Sequence, residues 1–317
     1  MTTRFKPEGT LYKTKENKEA LKNPQGLEHA CRTGQILEAP VLLCDSEMRL
    51  HVDLGCMRGI IERSEALYCR PGETLKDIAI ITRVGKTVAF RILGFQEEGN
   101  ERVAMLSRRA VQEECVSEFL ASLFPGDIIP ARVTHLENYG AFVDVGCGVS
   151  SLLSIDCISV SRISHPRDRL VSGMPLHVII KSIDKELSRI FVTLKELLGT
   201  WEENAASFEP GQTVVGRVRS IESYGIFVEL APNLAGLAEL RGSGNTPIRC
   251  AVNDTAAVFI KSILPERMKV KLVIIDSYPS TEEPMPLRYY IDPEKTRHID
   301  YWEYSPACST RLVETVF

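Results

Sequence analysis

The stretch Gly126–Val145, GDIIPARVTHLENYGAFVDV, recurs as Gly211–Leu230, GQTVVGRVRSIESYGIFVEL. In register, Gly126/Gly211, Arg132/Arg217, Val133/Val218, Glu137/Glu222, Tyr139/Tyr224, Gly140/Gly225, Phe142/Phe227 and Val143/Val228 are identical. Such self-similarity says that the chain is built from copies of one unit, and it constrains the fold more than any local motif. Ile129, Ala131 and Val133 alternate with polar residues as in a half-buried strand, and Val214 and Val218 fill similar roles in the second copy. Past the ring motif, Val143 and Val145 are expected inward, with Phe142 and Asp144 outward. Each copy continues alike, through LHVIIKSID (Leu176–Asp184) and AAVFIKSIL (Ala256–Leu264), then RIFVTL (Arg189–Leu194) and RMKVKL (Arg267–Leu272). The last pair reads as period-two strands. Ile190, Val192 and Leu194 point one way, with Arg189, Phe191 and Thr193 the other; Arg267, Lys269 and Lys271 share the outward face of the second copy. A unit of about seventy residues with some five short strands has the size of an OB barrel.

Tyr139 and Phe142 are three apart, so a regular strand would set them on opposite faces. Gly140 lies between them, and an isolated glycine in a strand often marks a bulge, which would turn both rings to one face. Paired exposed rings suit a ligand with flat faces, such as nucleic-acid bases, each stack being worth roughly 1–3 kcal/mol whatever the base. The competing reading makes the rings core plugs. Repetition of the pair at Tyr224 and Phe227 favours stacking.

The run from Pro125 to about Asp276 resembles tandem RNA-binding domains of the ribosomal protein S-one type. The matching elements are NYGAFVDV, the degenerate SLLSID, HPRD (His165–Asp168), Val178–Asp184 and RIFVTLKELLGTWEEN (Arg189–Asn204). The resemblance implies OB barrels that bind single-stranded RNA through the ring pair, a histidine on the next strand, and an aspartate and arginine near the last two strands. Carried over, that gives Tyr139, Phe142, Asp184 and Arg189 in one domain. The other has Tyr224, Phe227, Lys261 and Arg267, with Leu264 in place of the aspartate; Arg217 and Lys269 add basic contacts. The histidine position reads Ser154 and Glu239, so that contact is absent from both.

An earlier, weaker copy is legible in Val52, Asp53, Gly55 and Cys56, which match Val143, Asp144, Gly146 and Cys147. The strand-like stretch Gly34–Cys44 precedes them, and strands at Asp77–Val84, Thr87–Phe95 and Arg102–Leu106 would complete a barrel. Its ring positions hold Met48 and His51. Such a barrel either packs against the second or docks a protein. The expected fold is therefore all-β: three tandem five-stranded OB-fold barrels joined by short helices. Residues 1–33 are expected as a mobile arm, 34–111 as the degenerate barrel and 112–124 as a linker helix. Residues 125–197 and 210–276 are the RNA-binding domains, joined by a linker helix over 198–209 in which Thr200 and Glu203 fit a capping box. Trp201 is expected to pin that helix onto a barrel. Residues 277–317 form an extension rich in proline and aromatic residues, expected to fold onto the third barrel or a partner.

A net charge of −4 tells against a nucleic-acid binder, since phosphate neutralisation supplies most non-specific affinity. Its distribution is uneven. Gly211–Ile275 holds eight Lys/Arg against five acids, whereas Asp276–Phe317 holds four against eight. No run approaches eighteen apolar residues and the start MTTRFKPEG has no apolar signal region, so a cytoplasmic protein without membrane partners is expected. Nine scattered cysteines without a Cys-x-x-Cys motif read as buried reduced thiols rather than a zinc site. No Gly-rich phosphate loop, HExxH or nucleophile elbow is present, so neither an enzyme, a cofactor nor a small-molecule substrate is expected. The expected partners are single-stranded RNA and the small ribosomal subunit, with RNA-decay or transcription adaptors and a protein-interaction scaffold as alternatives.

Overall fold

The computed structural model describes residues 4–69, 72–184, 189–240, 250–280 and 287–317. Arg241 and Arg249, part of the basic balance above, lie outside the described residues. Two helices, α1 (Lys15–Leu21) and α2 (Pro24–Thr33), precede the first strand. The first ring is then β1 (Leu37–Cys44), β2 (Leu50–Asp53), β3 (Arg58–Ile61), β4 (Thr87–Glu98) and β5 (Glu101–Ser107). Helix α3 (Asp77–Ile81) lies between β3 and β4, and α4 (Arg108–Glu114) leaves the barrel. The second ring is β6 (Ile128–Glu137), β7 (Gly140–Asp144), β8 (Ser150–Ser154), β9 (Pro175–Asp184) and β10 (Arg189–Thr193). After α5 (Trp201–Ala205) come β11 (Thr213–Glu222), β12 (Gly225–Ala231), β13 (Leu234–Ala238), β14 (Thr255–Leu264) and β15 (Lys269–Tyr278). All three rings run first, second, third, fifth, fourth and back to first, with the third and fifth strands parallel. The molecule is thus mostly strand, in OB-like barrels. A hairpin of β16 (Tyr301–Glu303) and β17 (Glu314–Val316) ends the chain. No helix among the described residues is long and apolar enough to cross a membrane.

Several local expectations give way. The arm expected over 1–33 carries α1 and α2, capped by Thr14 and Asn23, and Leu27 and Ala30 lie in the first barrel's core. Asp77–Ile81 is a helix, not a strand; DIAII is a short apolar run, which cannot be told from a strand by periodicity. Arg58–Ile61 supplies the strand instead. Only Cys115, Cys147 and Cys157 are buried, while Cys308 is exposed. Thr193 is buried rather than outward, its hydroxyl donating to Glu196 Oε2 at 2.6 Å. Thr200 and Glu203 do form the capping box, and Trp201 sits in the third barrel's core.

The barrels are joined by buried polar contacts. Between the first and second, the segment around Glu8 threads through: Glu8 accepts from Arg108 Nε at 2.7 Å and from the Ala89 amide at 3.0 Å. Asp144, expected outward, is buried there because it closes the following loop. Its carboxylate accepts from the amides of Glu8 (2.6 Å), Gly146 (2.8 Å) and Gly148 (2.9 Å). Burial and the Glu8 charge raise its pKa. Glu38 accepts from the Tyr12 and Gly9 amides, yet burial, helped by Glu8, pushes its pKa up to about 7. Between the second and third barrels, Glu229 Oε2 holds both Arg169 (2.6 Å) and Arg219 (2.5 Å), and Arg219 reaches Asp168 at 3.5 Å. The C-terminal extension closes over both barrels. Leu287, Tyr289, Ile291 and Ile299 pack on the second core, while Trp302 and Tyr304 enter the third.

Candidate nucleic-acid interface

The ring pair is built by a turn. Glu137 pairs with Gly140 and Glu222 with Gly225, leaving Asn138–Tyr139 and Ser223–Tyr224 as two-residue hairpin turns. Each tyrosine therefore stands at a turn, and Tyr139 and Tyr224 are 56% and 66% exposed. The phenylalanines follow on β7 and β12, half-buried on the outer face. Tyr139 and Phe142 lie 6.2 Å apart at 90°, Tyr224 and Phe227 6.1 Å apart at 87°. Edge-to-face pairing suits the ring quadrupoles and leaves each ring a face of its own.

Gly140 is not a bulge. It is glycine because β8 comes too close, a Cβ there lying 2.5 Å from the Leu153 carbonyl oxygen; at Gly225 the Ala238 carbonyl oxygen would be 2.7 Å away. The bulges lie elsewhere and recur. The first strand of each ring shifts register at Leu42, Thr134 or Arg219, and the fourth at Leu93, Lys181 or Lys261.

Cross-strand register extends each ring pair into a row. On the second barrel Phe142 pairs with Leu152, Leu152 with Phe191, and Phe191 with Ser182. Phe142, Leu152 and Phe191 are all half-buried, and Arg189 opposite Asp184 lies two residues further along the same face. Phe191 was legible as outward-facing but not as a neighbour of the rings, because only the parallel β8–β10 pairing brings them together. On the third barrel the row reads Phe227, Leu237, Lys271 and Ser262, with Lys269 opposite Leu264. Lys269 thus takes the place of Arg189, and Lys271 that of Phe191. The sequence alignment of Arg267 with Arg189 is two residues out of step. Period-two alternation does not resolve a slip of two, since inward and outward faces are unchanged. Arg267 lies in the Pro265–Arg267 turn, off the strand, while Lys269 and Lys271 are exposed beside buried Val270 and Leu272.

The remaining residues are placed as follows. Lys261 is exposed at its bulge, 3.9 Å from Glu239, and Arg189 lies 3.9 Å from Glu73 of the first barrel. Both are exposed pairs, whose mutual hold in water is weak. Arg217 is half-buried, pairs across strands with Glu229 and donates to Ser280 Oγ at 3.0 Å, apart from the ring row. In the first barrel the corresponding row is Leu43, His51, Ile60 and Met105. His51 stands where Phe142 does, but it is buried and held by Asp45 at 3.0 Å. Burial would raise the Asp45 pKa; hydrogen bonds from His51 and Arg49 outweigh it and hold the carboxylate well below its usual range. Leu93, 54% exposed, occupies the bulge where the other barrels have Lys181 and Lys261.

The S1 RNA binding domain family matches residues 122–195. The small ribosomal subunit protein bS1 homolog of Bacillus subtilis is 28% identical over 287 residues, covering 88% of this chain and 70% of that protein. The bS1 protein of Staphylococcus haemolyticus is 29% identical over 237 residues, 73% of this chain and 58% of the relative. That of Staphylococcus saprophyticus is 36% identical over 149 residues, 45% of this chain and 37% of the relative. The chain thus spans from 37% to 70% of the length of the relatives it matches.

Proposed function

We propose that this chain, an S1-type relative of the ribosomal protein bS1, holds single-stranded mRNA on the outer faces of its second and third barrels. It does so in translation, in the cytoplasm, at the small ribosomal subunit. The observation that carries this reading is the turn-borne, exposed tyrosine paired edge-to-face with a strand phenylalanine, made twice in the same register. Such a platform gains from stacking without reading base identity. Lys269 and Lys271 flank it on the third barrel, where a phosphate backbone following the row would pass. The role is binding; no reaction is assigned. Filter binding of a single-stranded RNA oligomer at two salt concentrations, with Y139A/F142A and Y224A/F227A beside the parent, tests it. Parent-like affinity in the combined variant would sink the reading.

The first barrel has a different part. Its row lacks exposed rings, and Leu42, Leu43, Ile78, Ile81 and Leu93 leave apolar surface in water. That composition supports a protein-contacting module. Co-sedimentation with small ribosomal subunits separates a translation role from an RNA-decay or transcription adaptor, which would stay in the ribosome-free fraction.

A further inference from the structure

Beside the third barrel's rings lies a cavity of about 650 Å³ whose walls come from three parts of the chain. From the third barrel it is lined by Tyr224, Phe227, Met268 and Glu222. The second barrel contributes the loop carrying Arg162, and the C-terminal extension contributes Arg311. A volume within the roughly 300–1,000 Å³ typical of ligand sites could take a nucleotide unit.

Both arginines are set by fixed backbone. On one side of Arg162, Val160 donates its amide to Asn233 Oδ1 at 2.9 Å and Ser161 donates to the Pro232 carbonyl at 3.3 Å. On the other, the Ser164 amide donates to Asp168 Oδ2 at 3.1 Å. Asn233 is itself buried, its side chain donating to the Lys195 and Gly199 carbonyls and its carbonyl accepting from the Tyr304 hydroxyl. Arg311 rides on a loop closed by Tyr304 and Val313, and the neighbouring Thr310 amide donates to the Glu266 carbonyl at 3.2 Å. The backbone is anchored while both side chains are exposed, and among the described residues neither guanidinium has an ion-pair partner. Two free guanidinium forks beside stacked rings are suited to phosphate oxygens.

We propose that the third barrel's RNA site is composite: Tyr224 and Phe227 stack a base, while Arg162 of the second barrel and Arg311 of the extension grip the flanking phosphates. The inference rests on the RNA-binding reading and extends it to residues outside the repeated unit. RNA at this site then needs the two barrels held at their present angle, which the Arg169–Glu229–Arg219 contacts maintain.

The test uses the full chain with Y139A/F142A, so that the third barrel is read alone. Binding to a single-stranded RNA oligomer is measured across salt for that background and for R162Q/R311Q, R162K/R311K and Y224A/F227A within it. The glutamine pair is expected to weaken binding and flatten the log–log salt slope by up to about 1.4, two contacts at about 0.7 each. The lysine pair keeps most of the slope and controls for folding. A glutamine pair with the background's slope overturns the composite site. Should Y224A/F227A then still weaken binding, the stacking platform stands and only the arginine arms fail. Should it also leave binding unchanged, the RNA reading of the third barrel fails with them.

Discussion

At the level of single residues, the exposed tyrosine of each turn is the most consequential feature. Tyr139 is 56% exposed while Phe142 is partly buried, so truncating both removes packing on the outer face of β7 but leaves the buried core of the second barrel untouched. Y139A/F142A is expected to stay folded with a modest fall in thermal midpoint from the lost Phe142 packing, while losing roughly 1–3 kcal/mol of RNA binding per stack. A large fall in melting temperature would make the rings core plugs instead. Lys269 and Lys271 are expected to act through charge alone. K269Q/K271Q should weaken all RNA sequences alike and flatten the salt slope by up to about 1.4, with residual binding at high salt from Tyr224 and Phe227. A change confined to one base sequence would contradict a phosphate role. Residue types carried this much in the sequence; their partners were not legible. Arg267 looked equivalent to Arg189 because each is an arginine opening an alternating run, and only strand pairing gives that place to Lys269.

Elements show the same division. Strands β6, β7, β11 and β12 were readable because alternation and repetition agree. The tight β7–β8 approach was not, since it depends on how two strands lie in space. G140A places a Cβ against the Leu153 carbonyl, and overpacking of this kind costs about 1–3 kcal/mol. Thermal unfolding of the variant should show that loss; an unchanged midpoint would mean the ring has slack there. The helices illustrate the opposite case. The Thr200–Glu203 capping box is a local signature and could be read directly. α3 is too short to show a period, and α1 and α2 lie in a lysine- and glutamate-rich stretch where their few buried residues, Asn17, Leu27 and Ala30, make a weak pattern.

The whole molecule is three barrels clasped at both ends. The N-terminal segment enters the first junction, and the C-terminal extension covers the second and third barrels. The first junction makes stability depend on pH. Glu38 keeps its proton in the folded state up to about 7, whereas an unfolded chain releases it near 4.5. Its contribution is therefore full below the unfolded value and lost as pH rises through about 7, a swing on the order of 3 kcal/mol. The thermal midpoint should fall between about pH 4.5 and 7, and E38Q should flatten that dependence. An E38Q profile parallel to the parent's would assign the effect to other groups.

Residue type and spacing, which are properties of the chain itself, were enough for the all-β character, the repeated unit, the ring pairs and the absence of rings from the first copy. Tertiary structure alone decided that Phe191 and Lys271 flank the rings, that Arg217 and Arg219 turn toward buried or inter-barrel contacts, and that Arg162 and Arg311 meet at one cavity. Those groups are separated in sequence, and β-pairing register and barrel-to-barrel packing bring them together. Alternation leaves slips of two residues unresolved, and no local pattern carries the angle between two barrels.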